Sequence, residues 1–133
     1  PVIAMLSFSN FGSSSHPMAN KVENAVKFLR RSHPNMIVDG PIQSDFALNK
    51  LMLKNKFEES KLGNQKVNVL VFPNLDSANI TYKVIKEIDG AKSIGPIIMG
   101  LDKAVHILQL KPSVEEIVNM SAIAVIDAQS RNE

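Results

Sequence analysis

Short apolar runs alternate with helix-like patterns along the chain, and this alternation strongly constrains the fold. Four runs are rich in Val, Ile and Leu and are bounded by Asn, Gly or Pro: residues 2–6, 36–38, 67–72 and 94–99. Such runs predict strands, and the nearly unbroken run 67–72 is typical of a strand covered on both faces. Strands that alternate with helices indicate βαβ units. We therefore expect an α/β fold with a mostly parallel sheet and flanking helices.

Apolar residues at helical spacing predict the intervening helices. The clearest amphipathic pattern covers residues 18–31, with its apolar stripe on one side and Lys, Glu and Arg on the other. A second helix is predicted from Asn74 or Asp76 to Asp89, and a shorter one begins near Ser44. The polar stretch 54–66 is then expected to be a surface connection.

The last helix has the strongest local signal. Ser113 and Glu116 have the spacing of a capping box directly before an apolar run. Residues 114–128 are apolar on most of the helix circumference, which requires burial on more than one side. Because 133 residues supply only a limited core, part of that surface is expected to contact an absent segment or another subunit.

Composition excludes several classes of function. The 133 residues correspond to one ordinary domain and carry a formal charge of +2 without charged blocks, so nucleic acid is not an expected partner. No apolar run approaches the roughly 18 residues that cross a bilayer, so no membrane association is expected. The absence of cysteine excludes disulfides and thiol nucleophiles and fits a cytoplasmic location.

The chain opens inside an apolar β-like run, with neither an initiator Met nor a secretory signal. A buried strand needs neighbours on both sides, so this start predicts a piece of a longer chain. Any site formed between two halves of that chain would then be only half present.

The loop after the first strand is the first candidate binding site, because ligands of parallel α/β sheets bind beyond the carboxyl ends of strands. Ser7, Ser9, Asn10, Gly12 and Ser13 lie in this loop, directly before a helix. Their hydroxyls and backbone N–H groups, together with the helix N-terminus, could hold a phosphate. The alternative is a turn stabilised by local side-chain hydrogen bonds.

Asp39 and Asp45 follow the second strand as a carboxylate pair that could perform acid–base chemistry or hold a metal. A Gly-Pro turn followed by a helix N-terminus that favours Asp45 explains the same residues and is preferred. The three histidines lack metal-ligand spacing, so no metal site is expected.

Two further loops could contact a ligand. Asn79 and Lys83 lie one helical turn apart and could both face an anion, although a solvated lysine is the commoner case. Gly95 and Pro96 lie in the segment 94–101, which overlaps the predicted fourth strand, and its glycines permit close approach of a ligand or only tight turns.

Five segments together resemble, in order, the landmarks of the phosphate acetyl/butyryltransferase family. They are MLSFS (5–9), DGPIQSD (39–45), VLVFPNL (69–75), ANITYK (78–83) and IGPI (94–97). The resemblance implies the carboxyl-terminal part of a two-domain α/β protein with an isocitrate dehydrogenase-like architecture. It also implies an acyl-CoA or phosphate-bearing metabolite as partner, bound in a cleft between the domains, and a homo-oligomer.

The resemblance breaks down at the catalytic segment. Transferases of the family carry a Ser-Arg-Gly motif followed by an Asp. By the resemblance, the Ser of this motif corresponds to Gln109, the Arg to Leu110 and the Asp to Glu116. Leu110 offers no charge to a phosphate, and Glu116 has a structural role in the capping box. No catalytic residue is therefore expected to be retained.

The segments AVHILQL (104–110) and AIAVIDAQ (122–129), with His16-Pro17, are similar to the branch of the family found at the carboxyl end of bacterial NADP-dependent malic enzymes. This resemblance implies a regulatory or assembly domain with acetyl-CoA as effector. NADP and a divalent metal would belong to a preceding part that decarboxylates malate to pyruvate. A phosphate acyltransferase that exchanges CoA and phosphate, and a purely structural oligomerisation domain, remain alternatives.

Overall fold

The computed structural model describes residues 1–63 and 65–131. These residues fall into two compact units, Pro1–Lys83 and Val84–Glu133. In chain order the elements are β1 (Val2–Leu6), α1 (Pro17–Ser32), β2 (Ile37–Ile42), α2 (Ser44–Leu48), α3 (Lys50–Lys56), β3 (Val69–Val71), α4 (Leu75–Asp89) and α5 (Val114–Ser130).

The first unit is built on a three-stranded parallel sheet in the order β2-β1-β3. In the central strand, Ile3 pairs with Val38 on one side and with Val69 on the other. Helices connect these parallel strands, as crossover connections require. The predicted α/β fold with a parallel sheet and flanking helices is confirmed.

Alternate side chains of β1 divide the first unit into two apolar layers. Ile3 and Met5 face α1, which presents Val22 and Val26 to them. The opposite face of the strand packs against α2, α3 and the segment that follows them, in a cluster that contains these buried residues: Val2, Ala4, Leu6, Ile42, Phe46, Ala47, Leu53 and Leu62. Every position along β1 is apolar, and both faces of the strand are accordingly buried against neighbouring elements.

The second strand is longer than predicted. The sequence indicates a strand at 36–38 and a Gly-Pro turn, whereas β2 extends from Ile37 to Ile42 and contains Gly40 and Pro41. Pro41 is tolerated because β2 lies at an edge of the described sheet, where a missing N–H need not break a ladder. Gly40 is required, since a Cβ added there would lie 2.4 Å from the carbonyl oxygen of Met5.

The predicted helices are present with small changes. The predicted helix 18–31 corresponds to α1, and the helix expected near Ser44 is divided into α2 and α3. Asn49 separates the two, because its side chain accepts the N–H of Met52 at 3.1 Å and caps α3. The surface connection predicted at 54–66 is wrong in part, since Leu62 is completely buried in the core.

The third and fourth predicted strands differ most from the structure. Instead of 67–72, β3 covers only Val69–Val71, and its two outer residues are exposed rather than covered. Residues 94–99 form no strand. A strand needs a neighbour with free backbone groups, and the described part of the second unit contains no strand to supply one.

The second unit consists mainly of α5 and the irregular segment before it. The predicted capping box is confirmed, with Ser113 Oγ accepting the Glu116 N–H at 3.2 Å and Glu116 Oε2 accepting the Ser113 N–H at 2.7 Å. Met120 is buried, whereas Val118 and Ile126 remain more than half exposed. What covers this apolar surface therefore stays a prediction. None of the described helices combines the length and apolar character needed to span a membrane.

Candidate functional site

The hydroxyl-rich loop after β1 is closed by hydrogen bonds among its own residues. Ser9 is buried, and its hydroxyl lies 3.0 Å from that of Ser13. Ser13 Oγ also accepts the N–H of Asn10 at 3.0 Å, and Ser7 Oγ accepts the N–H of Ser9 at 3.3 Å. The N–H groups of Ser9 and Asn10 are thus already used. In this conformation the loop offers hydroxyls to an anion, but not these two amides.

Asn10 and Gln43 join this loop to the end of β2. The Asn10 side-chain amide donates to Gln43 Oε1 at 2.7 Å, and its Oδ1 accepts the Gln43 N–H at 2.8 Å. Gln43 Nε2 donates in turn to the carbonyl oxygen of Phe8 at 2.8 Å. Gly12 lies beyond this link with a φ of 84° and no atom within 4 Å of an added Cβ. The five predicted loop residues therefore form one cross-braced turn with an open, glycine-containing tip.

The N-terminus of α1 is also satisfied internally. His16 accepts the N–H of Met18 through Nδ1 at 3.2 Å. Its carbonyl oxygen accepts the N–H groups of Ala19 and Asn20 at 2.9 and 3.0 Å. Since His16 holds the first-turn donors that an anion would use, the helix end adds little to an anion site in this arrangement.

Asp39 is a buried structural carboxylate. It pairs with the guanidinium of Arg30, and its oxygens accept the N–H groups of Gly40 and Lys61 at 2.8 Å and the hydroxyl of Ser60 at 3.0 Å. Both carboxylate oxygens of Asp39 are thus already bound by donors within the fold. The carboxylate-pair hypothesis is therefore not supported. Of the structural alternative, the helix N-terminus at Asp45 is present, but Gly40 and Pro41 belong to β2 and not to a turn.

Asp45 lies apart from this network, in the first turn of α2. The groove beside Asp39 has a volume of about 380 Å³ and is bordered by Arg30, Lys56 and Phe57, without Asp45. The described residues contain no group of three His, Cys, Asp or Glu that could hold a metal ion. Ser60 and Lys61 were not predicted as partners of Asp39, because no spacing pattern marks them.

Asn79 and Lys83 both lie on α4, one turn apart and exposed, as their spacing predicts. The ammonium group of Lys83 lies 5.8 Å from the ring centroid of Tyr82, within cation–π range. Both side chains are accessible to an anion, and their role in binding stays a prediction.

In the second unit, three predicted residues come together around a small cavity. Gly95, Gln109 and Glu116 line it with four apolar neighbours: Ile94, Leu108, Pro112 and Met120. Its volume is about 20 Å³, and roughly 10–15 Å³ is needed to hold one water molecule. The cavity therefore has room for a water molecule but not for a pantetheine chain. Pro96 does not line it, and Leu110 is 98% exposed.

Glu116 is held as a carboxylate. The Ser113 N–H, followed by the Ser113 hydroxyl, lowers the pKa of Glu116 below its ordinary value of 4.5, and the positive charge of Lys86 acts in the same direction. One of the two oxygens that could accept a proton from a substrate, Oε2, thus serves the helix cap.

A cluster on the other end of α5 was not predicted. His106 is almost completely buried, and its Nε2 lies 3.3 Å from Oδ2 of Asp127. Arg131 pairs with the same carboxylate, through Nε at 2.8 Å. A lone histidine without metal-ligand spacing gives no signal in the sequence, so only the folded segment identifies this contact.

Residues 1–125 match the family described as phosphate acetyl/butaryl transferase. The chain belongs to this family. The phosphate acetyltransferase of Clostridium acetobutylicum is 41% identical over 97% of this chain and 38% of its own length. The NADP-dependent malic enzyme of Escherichia coli is 37% identical over 98% of this chain and 17% of its own length. The chain thus spans well under half the length of these relatives.

The fold of the family is also evident from solved structures. A phosphotransacetylase from Streptococcus pyogenes superposes with a TM-score of 0.90 at 36% identity, over 98% of this chain and 39% of that one. The EutD phosphotransacetylase from Staphylococcus aureus gives a TM-score of 0.86 at 33% identity. The chain is therefore a phosphotransacetylase-like domain of a kind that also occurs in malic enzymes.

Proposed function

We propose that this domain binds acetyl-CoA or a related acyl-CoA without catalysing acyl transfer, as a regulatory and assembly domain of an NADP-dependent malic enzyme. Similarity to relatives of that name over nearly all of this chain supports the proposal. In such a protein, a separate part would use NADP and a divalent metal to decarboxylate malate to pyruvate. The present chain would supply part of an effector site.

The state of Glu116 carries the proposal. Exchange of CoA and phosphate needs a base for the CoA thiol, and an efficient base has a pKa near the working pH. The Ser113 N–H instead lowers the pKa of Glu116 below 4.5. This shift moves the pKa of Glu116 further from that of an ordinary thiol, about 8.5, and so weakens the carboxylate as a base for it. Glu116 is thus better suited to capping α5 than to proton transfer.

Leu110 adds an independent argument. Its side chain is apolar and almost completely exposed, and the resemblance to the family places it where the transferases have an arginine. Loss of one preorganised donor to a developing negative charge typically costs about 10²- to 10³-fold in rate. Gln109 keeps a neutral amide beside the small cavity. A neutral amide there can donate or accept a hydrogen bond, but it cannot stabilise developing negative charge as a guanidinium does.

Acyl transfer is the second candidate, favoured by the 41% identity to a phosphate acetyltransferase. In that reaction the sulfur of CoA attacks the carbonyl carbon of an acyl phosphate. The C–S bond forms, the C–O bond to phosphate breaks, and inorganic phosphate leaves. The thiol proton would pass to Glu116, whose Oε2 also accepts the Ser113 N–H.

The complete protein that carries this chain distinguishes the two functions. We expect acetyl-CoA to release or absorb heat in calorimetry and to change the rate of malate-dependent NADP reduction. Acetyl phosphate and CoA should give no thioester above the uncatalysed rate. Turnover within the usual enzymatic range of about 1–10³ s⁻¹, abolished by Glu116→Gln but not by Glu115→Gln, would establish the transferase instead. Neither heat nor a rate response to acetyl-CoA would overturn the regulatory proposal.

A further inference from the structure

The irregular segment before α5 lies along that helix in antiparallel order. Two contacts and one cavity define this order. Arg131 contacts the carbonyl oxygen of Leu101, and Asp127 contacts His106. Gln109 lines the same small cavity as Glu116 and Met120. The segment has no ladder of strand hydrogen bonds to fix its register. Its position over α5 must therefore be set by individual side-chain contacts.

His106 is the most constrained of these side chains. Only 2% of its side chain is exposed, and neither ring nitrogen has a hydrogen bond of full geometry among the described residues. Nε2 faces Oδ2 of Asp127 at 3.3 Å, and Nδ1 is buried without a partner in the described part of the chain. Burying such a polar ring costs free energy that an apolar ring of the same size would avoid.

The charges around the ring favour an N–H directed at Asp127. The Arg131 guanidinium is the main cause that lowers the pKa of Asp127 below 3.8, with His106 contributing in the same direction. Asp127 is thus a carboxylate, and it accepts from Arg131 through both oxygens. Asp102 is the other charged group that acts on Arg131. The imidazole adds a polar contact from the segment to this cluster, with Nε2 facing Oδ2 of Asp127 at 3.3 Å.

We infer that His106 is a positioning residue. Its contact with Asp127 fixes the register of residues 101–109 against α5 and so places Gln109 beside Gly95 and Glu116. This inference rests on the proposed function for its effect on ligand affinity, because the surface at Gln109 is the part that would meet an acyl-CoA. Its effect on the segment itself is independent of any ligand.

Two substitutions separate the directional contact from packing. His106→Phe keeps a planar ring but removes the donor, whereas His106→Gln keeps an N–H close to the position of Nε2. In the complete protein, we expect His106→Phe to weaken CoA binding about 10-fold, since a polar contact with a charged group is worth about 1.5 kcal/mol at the lower end of the range. His106→Gln should stay within about 3-fold of the unsubstituted protein. Calorimetry with CoA as the probe measures both.

Hydrogen exchange of peptides covering 101–110 gives the readout that needs no ligand. His106→Phe and Asp127→Asn should each accelerate exchange there, and the double variant should add little, because both remove one contact. Equal CoA affinity and equal exchange in His106→Phe and the unsubstituted protein would overturn the inference. So would equal losses in the Phe and Gln variants. Faster exchange in His106→Phe with no CoA binding by any form would retain the positioning role and reject the proposed function.

Discussion

The guanidinium of Arg30 and the carboxylate of Asp39 form an ion pair that joins the last part of α1 to β2. The Asp39 side chain is 4% exposed and the Arg30 side chain 37%. Ser60 and the Lys61 backbone complete the shell around Asp39 from the segment between α3 and β3. One buried carboxylate thus ties three parts of the first unit together.

Asp39→Asn is expected to destabilise the first unit by about 2–3 kcal/mol. The amide keeps the shape, but it replaces one acceptor oxygen by a donor that faces other donors, and hydrogen bonds to charged groups are worth about 1.5–3 kcal/mol. Urea denaturation measures the change. Asp45→Asn serves as the control, since a carboxylate in the first turn of a helix contributes only about 0.3–1 kcal/mol. Equal losses in the two variants would contradict a special role for Asp39.

Gly40→Ala is expected to be far more damaging than Gly12→Ala. Both glycines have a positive φ, of 141° and 84°, so both substitutions introduce backbone strain. Only at Gly40 would the new Cβ meet another strand, 2.4 Å from the Met5 carbonyl oxygen, which forces β1 and β2 apart. We expect a loss above about 3 kcal/mol at Gly40 and about 1–2 kcal/mol at Gly12. Thermal unfolding of both variants tests the difference, and similar midpoints would refute it.

Local signals in the sequence were enough to predict the helices and the central strand. The Ser113 and Glu116 cap was predictable because its two partners lie three residues apart. The end of β2 was not predictable, because Gly40 and Pro41 are typical turn residues. They become part of a strand only through the pairing of β2 with β1. Residues 94–99 form no strand for a similar reason, because the described residues of the second unit include no strand with which they could pair.

The candidate site was predictable where its residues are adjacent in sequence. The loop from Ser7 to Ser13 is one example, although its braces to Gln43 span 33 residues and leave no sequence signal. His106 is the opposite case, since its partner Asp127 is revealed only when the segment lies along α5. Motif reasoning finds groups of chemically suitable residues, but packing determines which of their donors remain available.

Ser113→Ala is expected to cost about 1 kcal/mol of stability in α5, the usual value for a lost N-cap side chain. Ser121→Ala is the matched control, because that hydroxyl only donates back to the Ile117 carbonyl within the helix and should change stability little. Urea denaturation, followed by helix content, should separate the two variants. A loss at Ser121 as large as at Ser113 would argue against the capping role.

The cap also predicts a pH dependence. The pKa of Glu116 is lowered below its ordinary value of 4.5 in the folded protein. The stabilising effect of the carboxylate on α5 is therefore complete above pH 4.5 and is lost as the pH falls through the lowered pKa. Glu116→Gln should remove this acid-dependent component of α5 stability, whereas Glu115→Gln should retain it. Hydrogen exchange of α5 between pH 6 and 3, corrected for intrinsic rates, measures the effect. An unchanged acid profile in Glu116→Gln would contradict the assignment.

Leu110→Arg is expected to restore an anion contact without disturbing the fold. The side chain is 98% exposed, so the substitution should alter stability by no more than about 0.5 kcal/mol. A guanidinium there can form charge-assisted hydrogen bonds to a phosphoryl group, and we expect about 10-fold tighter binding of acetyl phosphate. Leu110→Gln supplies a neutral polar control. Calorimetry at two salt concentrations tests the cause, because a gain that comes from charge should shrink as salt increases. Equal affinity in the Arg and Gln variants would assign the gain to polarity alone.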